Sequence, residues 1–195
     1  MPFRPNNARS CAGAVTAEFA IVVVLFLMVV CGVIELARVM YMFNTLQVVT
    51  QRAAAAAAKA DFTSAAAMSA VRQRAIFRGS AGLMAIGAPV TDDHVRIEYL
   101  SLADAGGSAM AVIPAASLPA CPANNRVTCM QDPYGASCIR LVRARICDPA
   151  DAGECRNVQY QPLFSFVGMS FTLPKATAIV TAETLGAPPG QAPCP

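Results

Sequence analysis

Residues 13–60 read GAVTAEFAIVVVLFLMVVCGVIELARVMYMFNTLQVVTQRAAAAAAKA, and their pattern decides the fold. From Phe19 to Ile34 no side chain is charged, and the run ends at Glu35. At 1.5 Å per residue that helix is roughly 24 Å long, slightly short of a hydrocarbon core of about 30 Å. Extension through Ala14–Ala17 and Leu36–Phe43 supplies the missing length and sets Glu18 near one interface. The helical pattern continues past that point. Glu35 and Arg38 are three residues apart and can pair on one face. Met40, Tyr41, Met42 and Phe43 suit an interfacial belt. Ala53–Ala58 is unbroken alanine, the best helix former and a surface that lets another backbone approach closely. That face suits the chain's own sheet or a neighbouring helix. Cys31 lies in the middle of the apolar run and reads as a small packing residue.

Ahead of this stretch stand residues 1–13, MPFRPNNARSCAG, with Arg4 and Arg9 and no acid. A basic leader stays on the cytoplasmic side, so the chain beyond the helix should be exported. Three export readings compete. A secretory signal would be cut near Val30-Cys31-Gly32, where small residues close the apolar run only poorly. A lipoprotein would use Cys31, but Val30 precedes it where a smaller residue is expected. In the third reading the cut falls before the apolar run, after Gly13.

The third reading explains most. A short basic leader, Gly13, then Ala14-Val15-Thr16-Ala17-Glu18-Phe19 opening an apolar helix matches the prepilin (class III) pattern. Together with the continuation IELARVMYMFNTLQVVTQRAAAAAAKA, it resembles the TadE-like family of minor pilins, or pseudopilins, of the tight-adherence (Tad/Flp) pilus system. The resemblance covers about residues 9–60. It implies that a prepilin peptidase cuts after Gly13 and leaves Ala14 as the mature terminus. It also implies a bacterial inner-membrane, single-pass protein with a cytoplasmic N-terminus and a periplasmic domain, reaching the pilus or cell surface after assembly. The implied partners are that peptidase, other pilin or pseudopilin subunits, the inner-membrane assembly platform and the membrane, in support of adhesion and surface attachment. Many type IV pilins begin the mature chain with Phe. Here Ala14 is first and Phe19 sixth, which suits the Tad branch. The chemistry agrees: a carboxylate at mid-membrane costs about 2.5–3.5 kcal/mol and is usually paired. Glu18 of one subunit could neutralise the Ala14 amine of another.

Composition narrows the alternatives. The chain has 195 residues, 55% hydrophobic and 14% charged, with a net charge of +3. Mean hydropathy is +0.47. Disorder needs the opposite balance. Only one stretch is long and apolar enough to span, which argues against a polytopic protein. Fifteen basic residues against 12 acidic ones give no basic excess for nucleic acid. The domains read as a leader over 1–13, a transmembrane helix over 14–43, a helix extension over 44–60 and an exported disulfide-containing domain over 61–195.

In that last part Thr63 or Ser64 can cap a helix over 64–78 that stops at Gly79. Gly79–Pro89 and residues 103–136 read as loop. Strands are expected at His94–Leu102, Cys138–Cys147, Arg156–Phe166 and Ser170–Thr184, the last offset by Pro174. Strands following helices give an α+β fold with an antiparallel sheet. Eight cysteines occur. Cys11 leaves with the leader and Cys31 lies in the membrane. The other six, an even number, fit an oxidising compartment and allow fifteen connectivities. A strand over 138–147 would hold its ends about 30 Å apart, beyond disulfide reach. Cys147 and Cys155 flank the turn-rich Asp148–Glu154, and Cys129 and Cys138 flank Asp132–Gly135. Cys121 is then left for Cys194.

No enzyme motif is present: GxSxG, a P-loop and GxGxxG are all missing. His94 is the single histidine and no CxxC occurs, so no metal or cofactor is expected. Asp92 and Asp93 read as a turn. Arg140, Arg143 and Arg145 read as a solvated strand face, or more sharply as a contact for an anionic surface. A second function class shares the topology: a signal-anchored periplasmic binding module that never polymerises.

Overall fold

The computed structural model describes residues 12–104, 106, 109–151, 153–164, 170–188, 190 and 192–194. The leader with Cys11 lies outside the described residues, as do Ser165 and Phe166 at the end of the third expected strand. Helix α1 runs Ala12–Ala57, 46 residues, about 69 Å of continuous helix. No proline interrupts it, and alanine dominates its last turns.

Burial divides α1 into two lengths. Val15–Ile34 is bare, with Phe19, Ile21, Val24 and Phe26 all more than half exposed. From Glu35 onward a single stripe is buried: Glu35, Arg38, Val39, Met42, Leu46, Val49, Thr50, Ala53, Ala54, Ala57 and Ala58. Steps of three and four residues keep these on one helix face. Packing thus begins inside the segment read as transmembrane.

That stripe lies across a four-stranded sheet of β1 Val95–Leu102, β2 Met110–Val112, β3 Leu141–Ile146 and β4 Thr177–Thr181. The spatial order is β2-β1-β3-β4 with every pair antiparallel. On β3 the side chains alternate, so Val142, Ala144 and Ile146 are buried while Arg143 and Arg145 face away. Their partners Tyr99 and Val180 extend the same buried face. The result is two layers, helix on sheet, in an α+β arrangement.

Helix α2, Ala65–Ala75, leans on α1 and is capped by Ser64, whose hydroxyl accepts from the Ala67 amide at 3.2 Å. It stops earlier than Gly79. Ile76 is fully buried, and Phe77 takes φ +63° beneath the Arg52 guanidinium, 4.3 Å from its ring centroid.

Two expectations need correction and a third is refined. Residues 103–136 keep long loop stretches but also hold β2 and helix α3, Pro122–Gln131. Pro122 occupies the first turn of α3, where its missing N–H costs nothing. Asn125 on α3 accepts from the Ile139 amide at 2.8 Å and donates to the Ile139 carbonyl at 3.2 Å. Arg156–Phe166 forms no strand in its described part; only Gln159 bridges to Thr172. Its later backbone groups go to α1 instead, the Gln161 carbonyl to Arg38 and the Leu163 amide to Glu35. Of Ser170–Thr184 only Thr177–Thr181 is strand, because Pro174 cannot donate to a ladder. The other boundaries tighten: His94 belongs to a 3-10 turn, Asp92–His94, and Cys138 and Cys147 flank β3.

Candidate functional site

The N-terminal end of α1 is bare helix. The Gly13–Ala14 peptide lies in its opening turns. Glu18 is exposed and Phe19 is 69% exposed. Ala14 and Glu18 are four residues apart, on the same face and one turn along. No ion pair involves Glu18 among the described residues. Among the described residues the carboxylate has only its own helix around it, an arrangement suited to a partner outside the chain.

Among the described residues one helix is long and apolar enough to cross a membrane, with a mean hydropathy of 3.0 in its most apolar window. Its length and position fit a single-pass anchor. At the upper end of the bare stretch the chain builds a polar knot. Arg38 donates to the carbonyls of Ile86 at 3.0 Å, Ala88 at 2.8 Å and Gln161 at 2.7 Å. It also reaches the Tyr160 hydroxyl at 3.3 Å and Glu35 Oε1 at 3.4 Å. Glu35 accepts the Leu163 amide at 3.1 Å and a short bond from the Tyr160 hydroxyl. The Arg38 guanidinium lies 5.3 Å from the Tyr160 ring centroid, and that ring stacks on Phe171 at 4.5 Å. Phe43 meets Phe171 edge-on at 6.4 Å. Both charges are buried, and both are satisfied by groups that the loops bring to them.

The Glu35–Arg38 spacing is visible in the sequence. Tyr160 and the loop carbonyls are not, because they lie more than forty residues away and carry no motif. An arginine in an apolar helix is the one available signal, since such a charge must find acceptors.

Elsewhere the arginine row is neither fully solvated nor free. Arg143 meets Glu98 at 2.6 Å and Arg145 meets it at 2.5 Å, so one carboxylate serves two guanidinium groups across β1 and β3. Arg140 stays exposed near Arg126 and Glu183. Asp92 is buried and accepts the Gly82 amide at 2.9 Å. His94 is buried too, and its Nδ1 accepts the Thr91 amide at 3.0 Å. Burial pushes its imidazole below the usual histidine value, against the upward pull of Asp148 and Asp93. Among the described residues no three His, Cys, Asp or Glu side chains gather as a metal site.

Three disulfides close the C-terminal part: Cys147–Cys155, Cys129–Cys138 and Cys121–Cys194. These are the pairs that spacing suggests. Cys31 remains a free thiol, half-buried on α1.

The family model described as TadE-like protein matches residues 13–59, which is α1 from its first turn to just past its last. No curated protein and no solved structure matches the chain.

Proposed function

We propose that the chain is a minor pilin or pseudopilin of a Tad/Flp-type pilus, processed after Gly13 and assembled through its N-terminal helix. The observation that carries this is the TadE-like match over residues 13–59. It falls on an apolar helix whose first carboxylate, Glu18, lies on the bare length and has no ion-pair partner among the described residues. In this reading the cut frees the Ala14 amine. Glu18 of one subunit then neutralises that amine on the next, and Val15–Ile34 packs among like helices once it leaves the lipid. Contacts between helices, not turnover, perform the work. The prepilin peptidase, the assembly platform and fellow subunits are the partners, and adhesion is the output.

Sequencing the mature terminus after co-expression with a prepilin peptidase tests the reading. It expects Ala14 first, and it expects Gly13→Leu to keep the leader. A terminus near Val33 would instead favour a secretory signal and a non-polymerising binding module. Glu18→Val should insert in the membrane at least as well as the parent and fail to assemble. Normal assembly by that variant would reduce Glu18 to an interfacial role.

A further inference from the structure

The loops that feed the polar knot carry a second feature. Loop 83–88 and loop 161–164 bracket α1 at the level of Glu35 and Arg38. Their outer side chains are apolar and bare: Ile86 is 71% exposed, Leu163 61% and Leu83 50%. An open cleft between them is lined by Arg38, Leu83, Met84, Ile86, Ala88 and Leu163. Ile86 sits at φ +56°, a conformation that a β-branched residue rarely adopts and that glycine or asparagine would accept easily. The chain tolerates backbone strain in order to hold an isoleucine at the tip of a loop.

The height of that tip along α1 says what covers it. Val15–Ile34 is about twenty residues, or about 30 Å, one hydrocarbon thickness. On the helix face that the domain leaves uncovered, the apolar character does not end there. Leu36 is 58% exposed and Met40 61%. Lipid suits that face through residue 40. The two loops stand on the opposite face at the same height, so their tips are at membrane depth as well. The knot behind them agrees. A glutamate and an arginine at this depth are costly unless every group is paired, and here the pairing is nearly complete.

We propose that loops 83–88 and 161–164 form the floor of the domain and are immersed in the interface of the bilayer that α1 crosses, with Ile86 and Leu163 as apolar anchors among the phospholipids. This rests on the reading of α1 as a membrane-spanning helix. The floor seats the domain on the lipid at three points, the helix and two loop tips, and so fixes its tilt before assembly. Leaving the membrane then requires both tips to be withdrawn along with the helix.

The chain has no tryptophan, so a single one reports its own surroundings. The full chain, reconstituted in vesicles of phosphatidylethanolamine and phosphatidylglycerol, would carry Ile86→Trp, Leu163→Trp, Val24→Trp or Met130→Trp, one at a time. Val24 marks the middle of the bare stretch. Met130 is 85% exposed on α3, in the part of the domain near the Ala58 end of α1. Lipids brominated near the headgroup should quench Ile86→Trp and Leu163→Trp, with emission shifted to the blue. Met130→Trp should keep the emission of tryptophan in water and stay unquenched. If Val24→Trp is quenched by deep bromines while both loop variants remain water-like, the helix spans and the immersed floor is wrong. Blue-shifted emission that bromine leaves unquenched would mean that another copy covers the loops, which also overturns the proposal. An unquenched Val24→Trp would sink the spanning helix and the floor together. Should Ile86→Trp fail to fold at its strained position, Leu163→Trp decides alone.

Discussion

Two glutamates on one helix meet opposite fates, and the difference lies in what surrounds each. Glu18 is exposed on bare helix, whereas Glu35, seventeen positions later, is fully buried and bonded to Arg38, Tyr160 and the Leu163 amide. Removing one member of a buried pair leaves an uncompensated charge, at about 3–5 kcal/mol. Arg38→Leu should therefore lower the stability of the detergent-solubilised chain by that order, read as a drop in its unfolding midpoint. Glu35→Leu combined with Arg38→Leu should recover much of the loss, because no lone charge remains. Arg52→Ala, which removes only a cation stacked on the half-exposed Phe77, should cost about 1 kcal/mol or less. His94 gives a pH-dependent counterpart. Its folded value lies below the ordinary 6.5, since burial disfavours the charged ring and outweighs the upward pull of Asp148 and Asp93. The unfolded chain then binds more protons than the folded one. The contribution of His94 is complete above 6.5 and is lost as pH falls from there through the folded value. Unfolding measured between about pH 5 and 7 should show stability declining toward acid, and His94→Gln should flatten that slope. A slope unchanged by the substitution would assign it to other groups.

At the scale of elements, the alanine row answers a question that its composition leaves open. Ala53, Ala54, Ala57 and Ala58 are fully buried against the sheet and its flanking chain, while Ala55 and Ala56 face outward. One face is used internally and the other is free. Ala54→Leu should overpack the core at about 1–3 kcal/mol. Ala55→Leu should change stability by no more than about 0.5 kcal/mol. Thermal unfolding of both variants checks this, and pilus recovery with Ala55→Leu reports whether the outer face meets a neighbour. Helix α1 is legible in sequence because its pattern is continuous, and Ser64 marks the start of α2 because a serine precedes an alanine-rich run. Helix α3 is hidden. Its cap position is Cys121, it is only ten residues long, and its packing depends on Asn125 pairing with a peptide fourteen residues away. The segment after Arg156 looks like a strand by composition, yet it spends its backbone groups on Glu35 and Arg38, contacts that no local pattern encodes.

For the whole molecule, α1 is at once the helix that fits an anchor and part of the core. Met42, Leu46, Val49 and Ala53 are wholly buried in the same cluster as Val95, Ala144 and Ile146, so the sheet packs on the helix that fits the membrane. Around that shared core the disulfides close loops of very different size. Cys147–Cys155 spans 8 positions, Cys129–Cys138 spans 9 and Cys121–Cys194 spans 73. If a crosslink acts mainly by restricting the unfolded chain, closing the long loop contributes about 4 kcal/mol and closing the shortest about 2.5 kcal/mol. Native packing pulls the other way. Cys147 and Cys155 are buried at the end of β3, whereas Cys121 and Cys194 are half-buried where the Pro-rich tail returns to α3. Comparing Cys121→Ala with Cys194→Ala in one chain against Cys147→Ala with Cys155→Ala in another weighs the two effects. We expect the first pair to lower the urea midpoint further, and to expose the tail after Leu185 to protease while the knot at Arg38 stays intact. Among the described residues, a 3.4 Å contact from Asn124 to the Cys194 carbonyl also holds the tail near α3, too little by itself to resist the entropy of a freed end. A larger loss from the second pair would show that burial of the short loop, and not closure of the long one, sets the stability of this domain.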